Sequence, residues 1–294
     1  MATQTRQDPK QQGPKPPFDQ PQIEHPGTES EMQPQADHGE KSYRGSEKLK
    51  GYATLITGGD SGIGRAVAIA FAREGADVAI AYLSEDGDAE ETSRLVEEAG
   101  RKSLVLRGDI QDVAFCRKII DQAFNKFGRL DVLVNNAAYQ MAHEELSEFT
   151  PEQIERTYRT NVFAMYYLCQ AAVPKMKPGS CIINTTSIQA YDPSPQLLDY
   201  APTKAAIIGY TKALSKLVIK QGIRVNAVAP GPVWTPLIPS TMPPEKTQNF
   251  GANTLFDRPA QPAELAAVFV LLASPQAAYI TGEVYGVTGG RTPY

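Results

Sequence analysis

From residue 52 onward, short apolar and β-branched runs alternate with helical stretches. This alternation limits the fold more than any other feature of the chain. The runs are 52–57 (YATLIT), 77–82 (DVAIAY), 104–106, 132–134, 181–185, 225–229 and 284–287. Helical patterns lie between them at about 86–99, 111–127, 151–176, 200–220 and 261–273. A further helix follows the first run, with Ile63, Val67, Ala70 and Phe71 on one face. The strand runs are apolar at successive positions, as strands covered on both faces require. Strand–helix alternation of this kind predicts βαβ units, and hence an α/β fold with a doubly wound parallel sheet of seven strands.

Ahead of this pattern the composition changes. Seven of the chain's 23 prolines fall in the first 34 residues, among Gln, Lys, Asp and Gly. Such a stretch buries too little surface to offset its chain entropy. Residues 1–50 therefore read as an extension, disordered over 1–17 by composition. Over 18–50 it reads as an arm that docks on the body or on a neighbouring subunit, with Phe18, Ile23 and Tyr43 as anchors. Residues 51–294 read as one domain.

Composition also excludes several classes. Lys and Arg number 29 against 33 Asp and Glu, a net charge of −4, so the basic footprint of a nucleic-acid binder is missing. Cys116, Cys169 and Cys181 have no metal-ligand or disulfide-framework spacing, and His25 and His38 lie in the extension, so no metal is expected. The longest apolar stretch, 263–273, contains Glu264 and is far short of a membrane span. No secretory signal opens the chain, and a cytoplasmic setting is expected.

The first strand runs into Thr57-Gly-Gly-Asp60-Ser61-Gly62-Ile63-Gly64. Gly58 permits the turn out of the strand. Gly62 lets the backbone approach a pyrophosphate. Gly64 lets the helix pack closely on the sheet. The helix offers free N–H groups and a positive dipole end to phosphates. In a dinucleotide site the end of the second strand reads the adenosine ribose. Here the expected acid is absent, Glu85 and Asp86 come a few residues late, and no Lys or Arg lies between Ile80 and Glu91. The acidic loop leans towards NAD, with NADP as the alternative. Asp109, after the third strand, is either a partner for the adenine amino group or a cap before Gln111.

Tyr200 and Lys204, in YAPTK, stand at i and i+4 on one face of a helix, with Pro202 in its first turn. An ammonium beside a phenol favours its phenolate, so the pair is expected to lower the Tyr200 pKa and tune it for proton transfer. Ser187 ends the fifth strand, where open α/β sheets place ligands. Asn161 interrupts a helical pattern that it does not favour, for a functional reason or for a core hydrogen bond.

These residues carry a resemblance. TGGDSGIG (57–64), NNAA (135–138), Asn161, Ser187, YAPTK (200–204) and PGPVWTP (230–236) together resemble the short-chain dehydrogenase/reductase family over about residues 50–294. The lead-in resembles one subgroup with a similar extension: bacterial general-stress oxidoreductases and glucose/ribitol dehydrogenase homologues. The resemblance implies a single-domain Rossmann fold and an oxidoreductase that interconverts an alcohol and a carbonyl with NAD or NADP. It makes Tyr200 the acid/base, with Ser187 holding the substrate oxygen. Lys204 would bind the nicotinamide ribose, and Asn161 would hold a relay water. Besides the loop residues Gly58, Asp60, Ser61, Gly62, Ile63 and Gly64, it implies cofactor contacts from Asp109, Ile110, Asn136, Ala137, Ala138, Pro230, Gly231, Val233 and Thr235. Ala138 stands where the family usually has Gly, which predicts a tighter pocket. The resemblance also implies a homotetramer and a substrate lid at about 234–257. Gln189, Tyr191, Tyr139, Gln140 and Trp234 are candidate substrate-facing residues, suited to a small polar aldehyde, ketone or sugar. A non-catalytic dinucleotide-binding or stress-related binding module is the alternative on the same fold.

Overall fold

The computed structural model of the chain describes residues 8–291. Seven parallel strands form one sheet: β1 Ala53–Thr57, β2 Asp77–Tyr82, β3 Ser103–Arg107, β4 Val132–Asn135, β5 Cys181–Thr185, β6 Arg224–Pro230 and β7 Val284–Val287. Their order is β3-β2-β1-β4-β5-β6-β7. The order reverses beside β1, so the first strand lies between β2 and β4, with Ile56 paired to Ile80 on one side and Val134 on the other. Such a switch point opens a crevice at the carboxyl ends of the strands.

The unbroken apolar runs follow from two cores. Successive side chains of a strand point to opposite faces. Ile56, Val134 and Ile183 face a core with Val67 and Phe71 of α1 (Gly62–Arg73) and with Leu265 and Phe269 of α9 (Pro262–Ala273). Their chain neighbours Leu55, Leu133 and Ile182 face a second core. It holds Ile119 and Ile120 of α3 (Val113–Phe127), Leu168 of α5 (Ala164–Ala172) and Leu214 of α6 (Tyr200–Val218). Helix α2 (Asp86–Glu98) adds Val96 to the first core. The inner strands therefore need apolar residues in sequence, while β3 and β7 close the sheet as partly exposed edges.

The helix expected over 151–176 is divided. Helix α4 (Pro151–Tyr158) passes through a π-helical turn, Arg159–Phe163, into α5. Asn161 sits in that turn, and π-turns concentrate at functional positions. Two short helices, α7 (Leu237–Thr241) and α8 (Pro244–Gln248), fill the segment after β6.

The extension lies against the body as turns and extended chain. Phe18, Ile23 and Met32 are buried. The backbone N–H of Phe18 donates to Gln248 O at 2.9 Å, and that of Ile23 to Pro239 O at 3.3 Å. Tyr43 is half-buried, and its hydroxyl donates to the Glu74 carboxylate at 2.7 Å. Nearer the start, Arg258 donates to Pro9 O at 2.8 Å and Lys10 pairs with Asp257 at 2.7 Å. The rest of the 1–17 expectation, residues 1–7, lies outside the described residues.

Candidate functional site

A cavity of about 940 Å³ crosses the carboxyl ends of the strands, from Tyr82, Leu83 and Glu85 after β2 to Pro230, Gly231, Val233 and Thr235 after β6. That is near the upper end of the roughly 300–1,000 Å³ of small-molecule sites. Gly58, Asp60, Ser61, Gly62 and Ile63 line it. Gly64 does not, because its place is in the packing: a Cβ there would lie 1.7 Å from Gly58 O. Gly58 has φ +61°, and its Cβ would meet Ala137 Cα at 3.0 Å. At its glycines the loop thus brings bare backbone to the cavity, which suits a dinucleotide phosphate.

One expectation about this loop is corrected. The Gly62 N–H is not open to an anion, because it donates to Glu29 Oε1 of the arm at 2.6 Å. The N-cap residue of α1, Ser61, makes no side-chain cap, and Glu29 supplies one from 33 residues upstream. Glu29 is buried and is fixed in turn. His38 Nε2 lies 2.8 Å from Glu29 Oε1, and the Glu29 N–H donates to Asp88 Oδ2 at 2.9 Å. Arg65, the base that opens α1, is buried and bound to Asp88 Oδ1 at 2.9 Å. Beside them Asp60 is buried, and burial pushes its carboxyl up to about 7.

At the adenosine end Glu85 lines the cavity, while Asp86 is spent on the Tyr82 hydroxyl at 2.7 Å and on Arg107 at 2.8 Å. Asp109 lines the wall with Ile110, and its Oδ1 accepts the Gln111 N–H at 2.8 Å in a local turn; it is not the helix cap weighed from sequence, because α3 is capped by Asp112. The β4 exit is latched to the glycine loop. Thr57 Oγ1 accepts the N–H groups of Asn136 and Ala137 at 3.0 and 3.1 Å, and Asn136 Nδ2 donates to Gly58 O at 3.1 Å. Asn136, Ala137 and Ala138 all line the cavity.

Tyr200, Ser187 and Lys204 converge on the cavity wall. Helix α6 begins at Tyr200, which places Pro202 in the first turn. Ser187 follows β5, with its hydroxyl accepting the Gln189 N–H at 3.1 Å and hydrogen-bonded to the Tyr200 phenol. Lys204 Nζ donates to Thr185 O at 3.0 Å and lies 5.1 Å from the centre of the Tyr200 ring. Burial acts on both groups and in opposite senses. It drives the phenol above its usual value, against the Ser187 hydrogen bond, and lowers the amine to about 7. A phenol held below its ordinary pKa, expected from the Tyr–Lys spacing, is thus not found. The pair is too deeply buried for the amine's charge to dominate.

Asn161 clamps Tyr139: its Oδ1 accepts the Tyr139 N–H at 2.8 Å and its Nδ2 donates to Tyr139 O at 2.9 Å. The same Nδ2 reaches Thr203 Oγ1 at 3.1 Å, on α6. A cavity of about 10 Å³ beside Asn161, Thr160 and Thr185 is near the lower limit for one water.

Of the substrate-facing candidates, Tyr139, Gln140 and Gln189 line the cavity. Trp234 does not. It is fully buried against Phe18, with ring centres 4.3 Å apart, and against Met32, and its indole N–H donates to Pro34 O at 2.7 Å. The arm has claimed it. Tyr191 also lies off the wall, which Gln189 and Asp192 form there. In the expected lid, residues 235–238, Met242, Glu245, Lys246 and residues 249–253 face the cavity. Sequence reasoning missed His25, Gly27 and Arg156, which also line it. His25 sat in a segment read for its prolines, although a lone imidazole among apolar anchors was a signal.

The class is now defined: a dinucleotide-binding α/β sheet with a buried Tyr–Ser–Lys group at its switch crevice. A family model described as enoyl-(acyl carrier protein) reductase matches residues 58–292. General stress protein 39 of Bacillus subtilis is 49% identical over 272 residues, covering 92% of this chain and 95% of that protein. Glucose and ribitol dehydrogenase of Daucus carota is 44% identical over 277 residues, covering 92% and 95%. A short-chain dehydrogenase from Burkholderia cenocepacia in complex with NADP superposes with a TM-score of 0.77 at 32% identity, covering 83% of this chain and 98% of that one. The chain belongs to the short-chain dehydrogenase/reductase family, and it is an oxidoreductase of that family with a Rossmann fold.

Proposed function

We propose that the protein interconverts a small carbonyl compound and its alcohol, using a nicotinamide dinucleotide and Tyr200 as the proton donor and acceptor. The observation that carries this reading is the buried group of Tyr200, Ser187 and Lys204 in one cavity with a glycine-rich phosphate cradle. The bound dinucleotide would supply or accept hydride at the carbonyl carbon. Ser187 and Tyr200 would both donate to the carbonyl oxygen, and the phenolic proton passes to it as negative charge develops. A phenol raised by burial is protonated at neutral pH, as that donor must be. Lys204 would hold the cofactor ribose and pair with the phenolate that remains. Asn161 would hold Tyr139 and α6 in register, with a relay water beside it.

Gly58, Ser61, Ile63, Asn136, Ala137, Ala138 and Gly231 would hold the dinucleotide, with Asp109 and Ile110 at the adenine, and Pro230, Val233 and Thr235 around the nicotinamide. The adenosine end offers Glu85 and no lysine or arginine on its wall, which favours the 2′-hydroxyl of NAD over the 2′-phosphate of NADP. Ile154, Phe163 and Tyr166 are exposed on α4, the π-turn and α5, and suit the packing of a homotetramer. Three unpaired buried cysteines suit a reducing, cytoplasmic setting. Tyr200→Phe tests the mechanism. It is expected to lower kcat for carbonyl reduction by about 10² or more, with cofactor affinity retained. Undiminished turnover would remove Tyr200 from the reaction, whereas a wild type that binds the dinucleotide and turns over no carbonyl would favour a binding module.

A further inference from the structure

Tyr139 carries two cationic or imidazole neighbours that the chemistry above does not use. The guanidinium carbon of Arg156 lies 4.1 Å from the centre of its ring, and the His25 ring meets it edge-on at 5.1 Å and 78°. All three side chains line the catalytic cavity. Asn161 holds Tyr139 by its backbone and reaches Thr203 between Tyr200 and Lys204, so this trio is fixed relative to the reacting end.

Arg156 is half-buried, and among the described residues it has no carboxylate within 4.0 Å. A guanidinium stacked on an aromatic face keeps edge N–H donors, and those that Arg156 does not turn to the Tyr139 hydroxyl match carboxylate and phosphate oxygens. The nearby acids are otherwise placed or engaged. Asp192 on the wall is paired with Arg291, Asp199 accepts from Gln153 and Thr157, Glu245 is exposed on α8, and Glu85, after β2, acts on His25 and is paired with no base among the described residues. Burial and the Arg156 charge lower the His25 pKa against the opposing pull of Glu85, so His25 offers an N–H without a second charge. It comes from the arm, ahead of the family's shared domain. Backbone N–H of Ile23 to Pro239 and the Ser240 hydroxyl to Pro26 O (3.3 Å each) tie its segment to α7.

We propose that Arg156 and His25, gathered on Tyr139, form a recognition station for an anionic group of the substrate, a carboxylate or a phosphate ester. The protein would then act on a short carbonyl compound bearing that anion at its far end. This rests on the oxidoreductase reading and names the class of substrate within it. The arm, through His25, sets specificity.

The test uses the full chain with its better cofactor and two matched pairs of aldehydes. 4-Oxobutanoate is compared with butanal, and glyceraldehyde 3-phosphate with glyceraldehyde. Expected is a kcat/KM at least about tenfold higher for the charged member of one pair, the scale of one charge-assisted contact. The pair that shows it distinguishes carboxylate from phosphate. In Arg156→Met the charged aldehyde should lose at least about tenfold more than its neutral partner, mainly through KM, and Arg156→Lys should restore part of the preference. His25→Ala should raise KM for the charged aldehyde. Equal or faster use of the neutral aldehydes by the wild type overturns the proposal, as does an Arg156→Met loss that is the same for both members. If no aldehyde is turned over, the oxidoreductase assignment of substrate type fails instead. Calorimetry with 4-hydroxybutanoate and glycerol 3-phosphate, against butan-1-ol and glycerol, then decides the anion site, and equal affinities overturn it.

Discussion

Removing the Glu29 carboxylate should detach the arm from the dinucleotide loop. Glu29→Ala leaves the Gly62 N–H without an acceptor and His38 with Glu40 alone, at 3.0 Å. Breaking a buried ionic pair by deleting one member costs about 3–5 kcal/mol, and the lost helix cap lies within that figure rather than on top of it. Against this, Glu29 Oε2 has no partner in the network, so some burial cost is recovered and the lower end is expected. Glu29→Gln keeps an acceptor and should cost less. The pH dependence follows from the same groups. Burial works against the imidazolium, but the bonds from Glu29 and Glu40 outweigh it and raise His38 from 6.5 to about 9. Arg65 faces the pair and opposes it. A raised histidine contributes in full below its unfolded value and loses that contribution as pH climbs to 9, about 3 kcal/mol over the window. Glu29 is lowered by His38 and Arg65 despite burial, so its share is lost as pH falls below 4.5. The chain's single tryptophan, Trp234, reports docking directly because Phe18, Met32 and Pro34 of the arm enclose it. Urea titrations followed by Trp234 emission and by far-UV circular dichroism are the assay. In Glu29→Ala the emission should shift red at lower urea than the dichroism transition. In the wild type the same separation should open above pH 9. Coincident transitions with an unchanged midpoint at pH 7 would refute the reasoning.

Phe18→Ala should also free the arm, because Phe18 packs directly on Trp234. A buried Phe→Ala change costs about 3–5 kcal/mol, and a red-shifted Trp234 emission with an intact dichroism spectrum checks it. Asp60, raised to about 7 by burial, is predicted to ionise beside the phosphate cradle as pH rises from 6 to 8. The dinucleotide Kd should then rise by about tenfold in the wild type and stay flat in Asp60→Asn, read by fluorescence titration. The same titrations with NADH and NADPH should give the lower Kd for NADH, and a lower Kd for NADPH would reverse the reading of Glu85.

The parts of this molecule legible in its sequence are those in which function depends on near neighbours in the chain. Leu55 and Ile56 face separate cores, and a continuous apolar run is the local sign of that arrangement. Tyr200 and Lys204 share one helix, and the glycine loop has its roles within eight residues. Even Asn161 left a local mark, a poor helix former at the point where a π-turn replaces the α-helix. Trp234 and Glu29 left no such mark. Trp234 sits in a Pro-rich segment and looks like part of a substrate wall, until Pro34, 200 residues away, takes its indole N–H. Glu29 is one carboxylate among many in the arm, and its meaning comes from Gly62 and His38, whose positions the sheet and the arm fix jointly. A polar segment with isolated Phe18, Ile23 and Met32 cannot bury them against itself, so those three residues already required a partner surface. The surface they found is the outer side of the segment after β6, and the same docking brings His25 to the cavity and Glu29 to the glycine loop. The arm's proline-rich composition describes how it avoids folding alone. Its few apolar and charged side chains determine where it binds, and through that contact they become part of the site.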